Sequence, residues 1–171
     1  MSDDARNGPQ PAPTSVPGPR QVRRAAPEHA DAVGRLLSDF NTEFETPTPP
    51  AEDLSRRFAV LLARDDVLVL LTGPDADPTG FAFLTLRPTP YHDGPLAQLE
   101  ELYVRPDLRD RGLGTALLQT ALDAVRARGA GEVHIGVDEV DTDTRRFYER
   151  HGFRNVEPGE DGRMLLYLRE L

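Results

Sequence analysis

Leu99-Glu-Glu-Leu-Tyr-Val-Arg-Pro-Asp-Leu-Arg-Asp-Arg-Gly-Leu-Gly-Thr-Ala-Leu-Leu118 decides the fold of this chain. Residues 99–104 read as a strand, residues 109–114 as a glycine-bearing turn, and residues 115–125 as a helix. Strand, glycine turn and helix N-terminus together form an anion-binding device. The first N–H groups of a helix have no partner within it and carry partial positive charge. Glycines 112 and 114 let that backbone approach a bulky phosphate. Arg109 and Arg111 add formal charge.

The rest of the chain limits what that anion can be for. At 171 residues, one domain with a tail is expected. There is no cysteine, so disulfides, thiolate metal sites and a protein thiol nucleophile are excluded. The four histidines, at 29, 92, 134 and 151, lack metal-ligand spacing, and no metal is expected. A net charge of −9 argues against a nucleic-acid partner. It favours cationic small substrates, although an acidic surface that confers solubility is the plainer reading. All 20 basic residues are arginine. No apolar run approaches the roughly 20 residues of a membrane span. The first residues lack a signal peptide's apolar core. No membrane partner is expected, and the cytoplasm is the expected location.

Prolines 9, 11, 13, 17 and 19 dominate the start, with few apolar residues, so residues 1–19 read as a disordered Pro-rich tail. Residues 20–171 read as the folded domain. In it, residues 21–26 form a first strand and Pro27-Glu28 opens a helix. Ala30, Val33, Leu36, Leu37 and Phe40 recur at helical spacing. Prolines 47, 49 and 50 break the chain before a second helix over 51–64. Residues 67–72 and 81–87 predict an antiparallel strand pair. Residues 88–95 form a loop, and residues 96–104 and 132–138 are strands joined by the 112–128 helix. That arrangement requires a parallel crossover. A helix over 142–151 and a last strand over 163–169 complete the order.

Three phosphate-binding devices compete for residues 109–114. A P-loop needs Gly-Lys-Ser/Thr, and the chain has no lysine. A dinucleotide fingerprint needs glycine or alanine three residues after Gly114, where Leu117 stands. The third fits. Arg109, Gly112 and Gly114 match Gln/Arg-x-x-Gly-x-Gly/Ala, the signature of the GNAT family, the GCN5-related N-acetyltransferases. Downstream, Phe147-Tyr-Glu-Arg-His-Gly-Phe153 is similar to that family's Phe-Tyr-x-x-x-Gly-Phe segment. The resemblance covers nearly everything beyond the tail. It implies an α/β GNAT fold, with a mixed, mostly antiparallel sheet of six to seven strands and about four flanking helices.

The resemblance also implies roles. Backbone around Arg109, Asp110, Arg111, Gly112, Leu113, Gly114 and Thr115 would hold the pyrophosphate of acetyl-CoA. The strand carrying Leu102, Tyr103 and Val104 would splay from the following strand and receive the pantetheine arm. The Leu102 N–H would face the thioester oxygen. Tyr148 would protonate the departing thiolate, the alternative being an aromatic that packs helix onto sheet. Arg145 or Arg146 could pair with the 3′-phosphate, or both simply solvate the helix face. Asp141 stands where the family often has Asn, which puts its contact with the cofactor in doubt.

Family bases lie on the strand near Glu100. Strict alternation places Gln98, Glu100, Leu102 and Val104 on one face and Leu99, Glu101 and Tyr103 on the other. That favours Glu100 as the base and acceptor contact; a bulge would favour Glu101. Phe40, Phe44, Tyr91 and His92 are the remaining acceptor-site candidates. The expected reaction is transfer of an acetyl group from acetyl-CoA to a primary amine, of a small molecule or a peptide, by direct attack in a ternary complex. The alternative is a non-catalytic acyl-CoA-binding or interaction module. The apolar last strand leaves room for a homodimer.

Overall fold

The computed structural model describes residues 21–169; the expected Pro-rich tail lies outside them. The described chain begins with strand β1 (Val22–Arg24), helices α1 (Ala30–Glu43) and α2 (Ala51–Leu61), and strands β2 (Val67–Thr72), β3 (Gly80–Arg87) and β4 (Leu96–Val104). Helix α3 (Leu113–Ala127), strand β5 (Glu132–His134) and helix α4 (Thr142–Arg150) follow. The strands lie in chain order in one five-stranded sheet. β1 through β4 are antiparallel neighbours, and β4 and β5 are parallel.

β2 is a continuous apolar run because both of its faces are covered. Val67, Val69 and Leu71 pack with Val33, Leu36 and Phe58 of α1 and α2. Leu68 and Leu70 pack with Leu117, Leu118 and Ala121 of α3. Two hydrophobic layers therefore sandwich the sheet. α1 and α2 approach so closely at Gly34 that a Cβ there would lie 2.7 Å from the Ser55 backbone nitrogen.

The sheet is smaller than expected: five strands among the described residues, not six to seven. β5 stops at His134 instead of reaching 138. Residues 163–169 form no strand; a single bridge joins Val156 and Arg163. Met164, Leu165, Leu166, Tyr167 and Leu168 are exposed. Apolar, β-prone sequence makes a strand only when an edge accepts it. Here the β5 edge is three residues long, and Leu166 lies against Gly136 beyond it.

Candidate active site

The site begins with an irregularity in β4. Glu101 pairs with Phe83 and Leu99 pairs with Leu84, leaving Glu100 with no partner of its own. This is a β-bulge, and it shifts the alternation by one residue. Leu99, Leu102 and Val104 therefore share the α3 face. Glu101 joins its partner Phe83 and its neighbour Tyr103 toward α1 and α2. The face assignment expected from strict alternation is corrected accordingly. The Glu100 carboxylate accepts a hydrogen bond from the Thr85 hydroxyl and is exposed. Glu101 is largely covered. Burial first, and then the Glu100 charge beside it, push its carboxyl up to about 7.

β4 and β5 pair only from Leu96–Glu132 to Gln98–His134. Beyond that point the chains part, and the β5-side edge of residues 99–104 carries no strand. Leu102 and Tyr103 lie in this opened stretch.

At the end of β4 the chain turns through Pro106–Leu108, Asp110 at φ 59° and Gly112 at φ 80°. Gly112 is the N-cap of α3 and offers no side-chain cap; Ala116 N–H is the first to bond back, to the Gly112 carbonyl. The three N–H groups before it have no partner within the helix. The first turns of α1, α2 and α4 carry Asp31, Glu52 and Asp53, and Asp143, whereas that of α3 has no acid. A Cβ on Gly112 would meet nothing within 4 Å, so the space in front of the turn is open. A Cβ on Gly114 would lie 3.7 Å from the Phe147 ring, an ordinary packing contact.

The arginines of this turn are already engaged. Arg105 pairs with Asp77 and Arg111 donates to the Asp107 carbonyl. Arg109 forks onto the Glu43 carboxylate with two bonds of 2.7 Å and donates from Nε to the Val104 carbonyl at 3.0 Å.

α4 closes the site. The Asp141 carboxylate accepts from Thr144 N–H as the helix cap, a local role within α4. Arg145 donates to the Glu139 carbonyl. Tyr148 is 6% exposed, with its ring 5.1 Å from Phe147 and 5.4 Å from Phe153. Burial raises its phenol above the ordinary range, and the charges of Glu101 and Asp141 raise it further.

The acceptor candidates separate. Phe40 packs on Tyr103 at 5.5 Å and on Phe44 at 5.0 Å, beside the turn. Tyr91 is 85% exposed, and His92 reaches Glu132 at 3.4 Å. Both lie at the opposite end of β4. Glu43 has no sequence signal, because the contact with Arg109 spans 66 residues. Among the described residues, no cluster of three His, Cys, Asp or Glu could hold a metal, and no helix is long and apolar enough to cross a membrane.

Residues 31–153 match the model of the acetyltransferase (GNAT) family. The chain belongs to that family. A solved structure from Arthrobacter sp. FB24, described as an acetyltransferase, is 48% identical. It superposes with a TM-score of 0.83, covering 94% of this chain and 100% of that one. A mycothiol acetyltransferase of Clavibacter sepedonicus is 35% identical over 61% of this chain and 32% of its own length. An aminoglycoside N(6′)-acetyltransferase of Klebsiella aerogenes is 37% identical over 42% of this chain and 48% of its own. Matches to these two GNAT relatives and four others span from 21% to 48% of the relatives' lengths.

Proposed function

We propose that this GNAT chain transfers an acetyl group from acetyl-CoA to the primary amine of a small, cationic molecule. The observation that carries this reading is the parting of β4 from β5 after the Gln98–His134 pair, with Glu101 on the covered α1/α2 face of the opened stretch and Tyr148 buried nearby.

The α3 N-terminus and the open space at Gly112 suit a pyrophosphate. The freed β4 edge suits an extended pantetheine arm, with the Leu102 N–H donating to the thioester oxygen as it gains charge. An ammonium acceptor must first lose a proton, and a carboxylate near 7 is matched to that task. The amine nitrogen then bonds to the carbonyl carbon, the C–S bond breaks, the thiolate takes a proton from Tyr148, and the second proton shed by the acylated nitrogen returns to the Tyr148 oxygen. Glu101 and Tyr148 are electrically linked. Burial is the main cause of the raised phenol and Asp141 adds to it, so when Glu101 holds the amine's proton only its own share is relieved, which makes Tyr148 a modestly better acid as the thiolate leaves. The chain has no cysteine to carry an acyl group, which favours direct attack.

The net charge of −9 and the adjacent Glu100 and Glu101 suit a cationic acceptor. The name of the aminoglycoside relative points to amines of that kind. Mass spectrometry of acetyl-CoA incubated with a panel of aminosugars, polyamines, amino acids and peptides tests the reading. Acetylated product is expected with at least one cationic amine. Acetyl-CoA binding with no product across the panel would overturn catalysis in favour of a binding module.

A further inference from the structure

The signature arginine is occupied in a way its motif does not explain. Arg109 reaches back to Glu43, the last residue of α1, with two parallel bonds of 2.7 Å. The C-terminus of a helix carries partial negative charge, so a carboxylate there is disfavoured. The last turn of α1 has no basic residue to offset it. The compensating cation comes from the β4–α3 turn instead. The same guanidinium bonds the Val104 carbonyl at 3.0 Å and stands 5.8 Å from the centre of the Tyr103 ring. Tyr103 packs on Phe40, and Phe40 on Phe44. The chain beyond α1 is folded back on the helix: Thr46 N–H bonds the Asn41 carbonyl at 2.8 Å, and Asn41 Nδ2 bonds Thr48 at 3.0 Å.

We propose that Glu43 and Arg109 are a pair of positioning residues: their fork ties the donor turn to the α1 end, which forms the acceptor side. This rests on the donor reading of the turn given above. The Arg109 side chain thus serves the tie, and the turn meets phosphate with its backbone. Planar, two-point pairing fixes both distance and orientation, which a point charge cannot do.

Two variants of the full chain separate this role from a phosphate contact. Glu43→Gln keeps the size but loses the charged fork. Arg109→Lys keeps the charge but loses both the fork and the Val104 bond. Hydrogen exchange of the Phe44, Glu45 and Thr46 amides, without ligand, should speed up about 3-fold or more in each variant. Acetyl-CoA, measured by calorimetry, should bind about 3- to 10-fold more weakly to each, and no more weakly to the double variant than to either single one.

A phosphate-binding Arg109 predicts the opposite signs. Freed from Glu43 in Glu43→Gln, it would tighten acetyl-CoA binding, and lysine would preserve it. Tighter binding in Glu43→Gln, or unchanged exchange at residues 44–46 in both variants, overturns the proposal. Faster exchange together with a wild type that binds no acetyl-CoA overturns the donor reading and the positioning role built on it, while the tie itself stands.

Discussion

Glu101 pairs across the ladder with Phe83, one residue out of step with the Leu84–Leu99 pair beside it. That single offset turns Glu101, not Leu99, toward the α1/α2 layer, and sets it next to Glu100 under partial burial. The pH profile of activity should carry its signature. A base must be unprotonated to act, so kcat/KM should fall as pH drops through about 7. Glu101→Gln should abolish that acid limb and lower kcat/KM by roughly 10²- to 10⁴-fold. Glu100→Gln should keep the limb and move it to lower pH, because the charge that raises Glu101 is removed. An acid limb that survives in Glu101→Gln would remove Glu101 from the mechanism.

The same carboxylate should cost the fold stability. Its carboxyl titrates near 7 in the native protein against an ordinary 4.5. The native state therefore takes up a proton over that interval while the unfolded chain remains ionised. The contribution of Glu101 to stability is most favourable below about 4.5, declines as pH rises toward 7, and is an unfavourable constant above it. Because Glu101 is partly solvated, that amount is about 1–2 kcal/mol, well under the full value of the shift. Glu101→Gln should be more stable than the wild type by that amount at pH 8, with Tm higher by roughly 2–8 °C, and nearly equal at pH 4. Thermal unfolding at the two pH values checks it; a variant less stable at pH 8 would mean that the carboxylate supports the structure.

Tyr148 is a separate case, because its ring packs between Phe147 and Phe153. Tyr148→Phe keeps that packing and deletes only the hydroxyl. Turnover should fall about 10- to 100-fold, with acetyl-CoA affinity within about twofold of the wild type. Burial and the Glu101 and Asp141 charges hold the phenol protonated above its ordinary range. No alkaline loss of activity near pH 10 should therefore trace to it. Unchanged turnover in Tyr148→Phe would leave the residue a packing aromatic.

The features legible in the sequence are those written locally. Residues 109–114 and 147–153 each carry their turn, cap and packing within a few positions, and the antiparallel β2–β3 pair follows from two apolar runs around a turn. The bulge is different: it belongs to the register between β3 and β4, and neither strand alone shows it. The Glu43–Arg109 fork spans 66 residues and is equally silent. Residues 163–169 form no strand although their apolar pattern suits one, because the short β5 edge gives it nothing to pair with. Asp141, a departure from the family's asparagine, caps α4 through the Thr144 N–H, a role either residue can fill.

Gly112 and Gly129 bracket α3, and both hold left-handed backbone, at φ 80° and 81°. Alanine at either position pays a left-handed strain of about 1–2 kcal/mol, so the two variants should lose similar stability. A Cβ at 112 would enter the open space in front of the α3 N-terminus; at 129 it would lie 3.9 Å from the Gly94 Cα, at the far end of the helix. Gly112→Ala should therefore weaken acetyl-CoA binding by tenfold or more, on the order of 1.4 kcal/mol, while Gly129→Ala leaves it within about twofold. Calorimetric titration of both variants below their melting range separates strain from obstruction. Equal affinities would mean that the phosphate does not approach the α3 N-terminus, and the donor site would have to be sought elsewhere along the opened β4 edge.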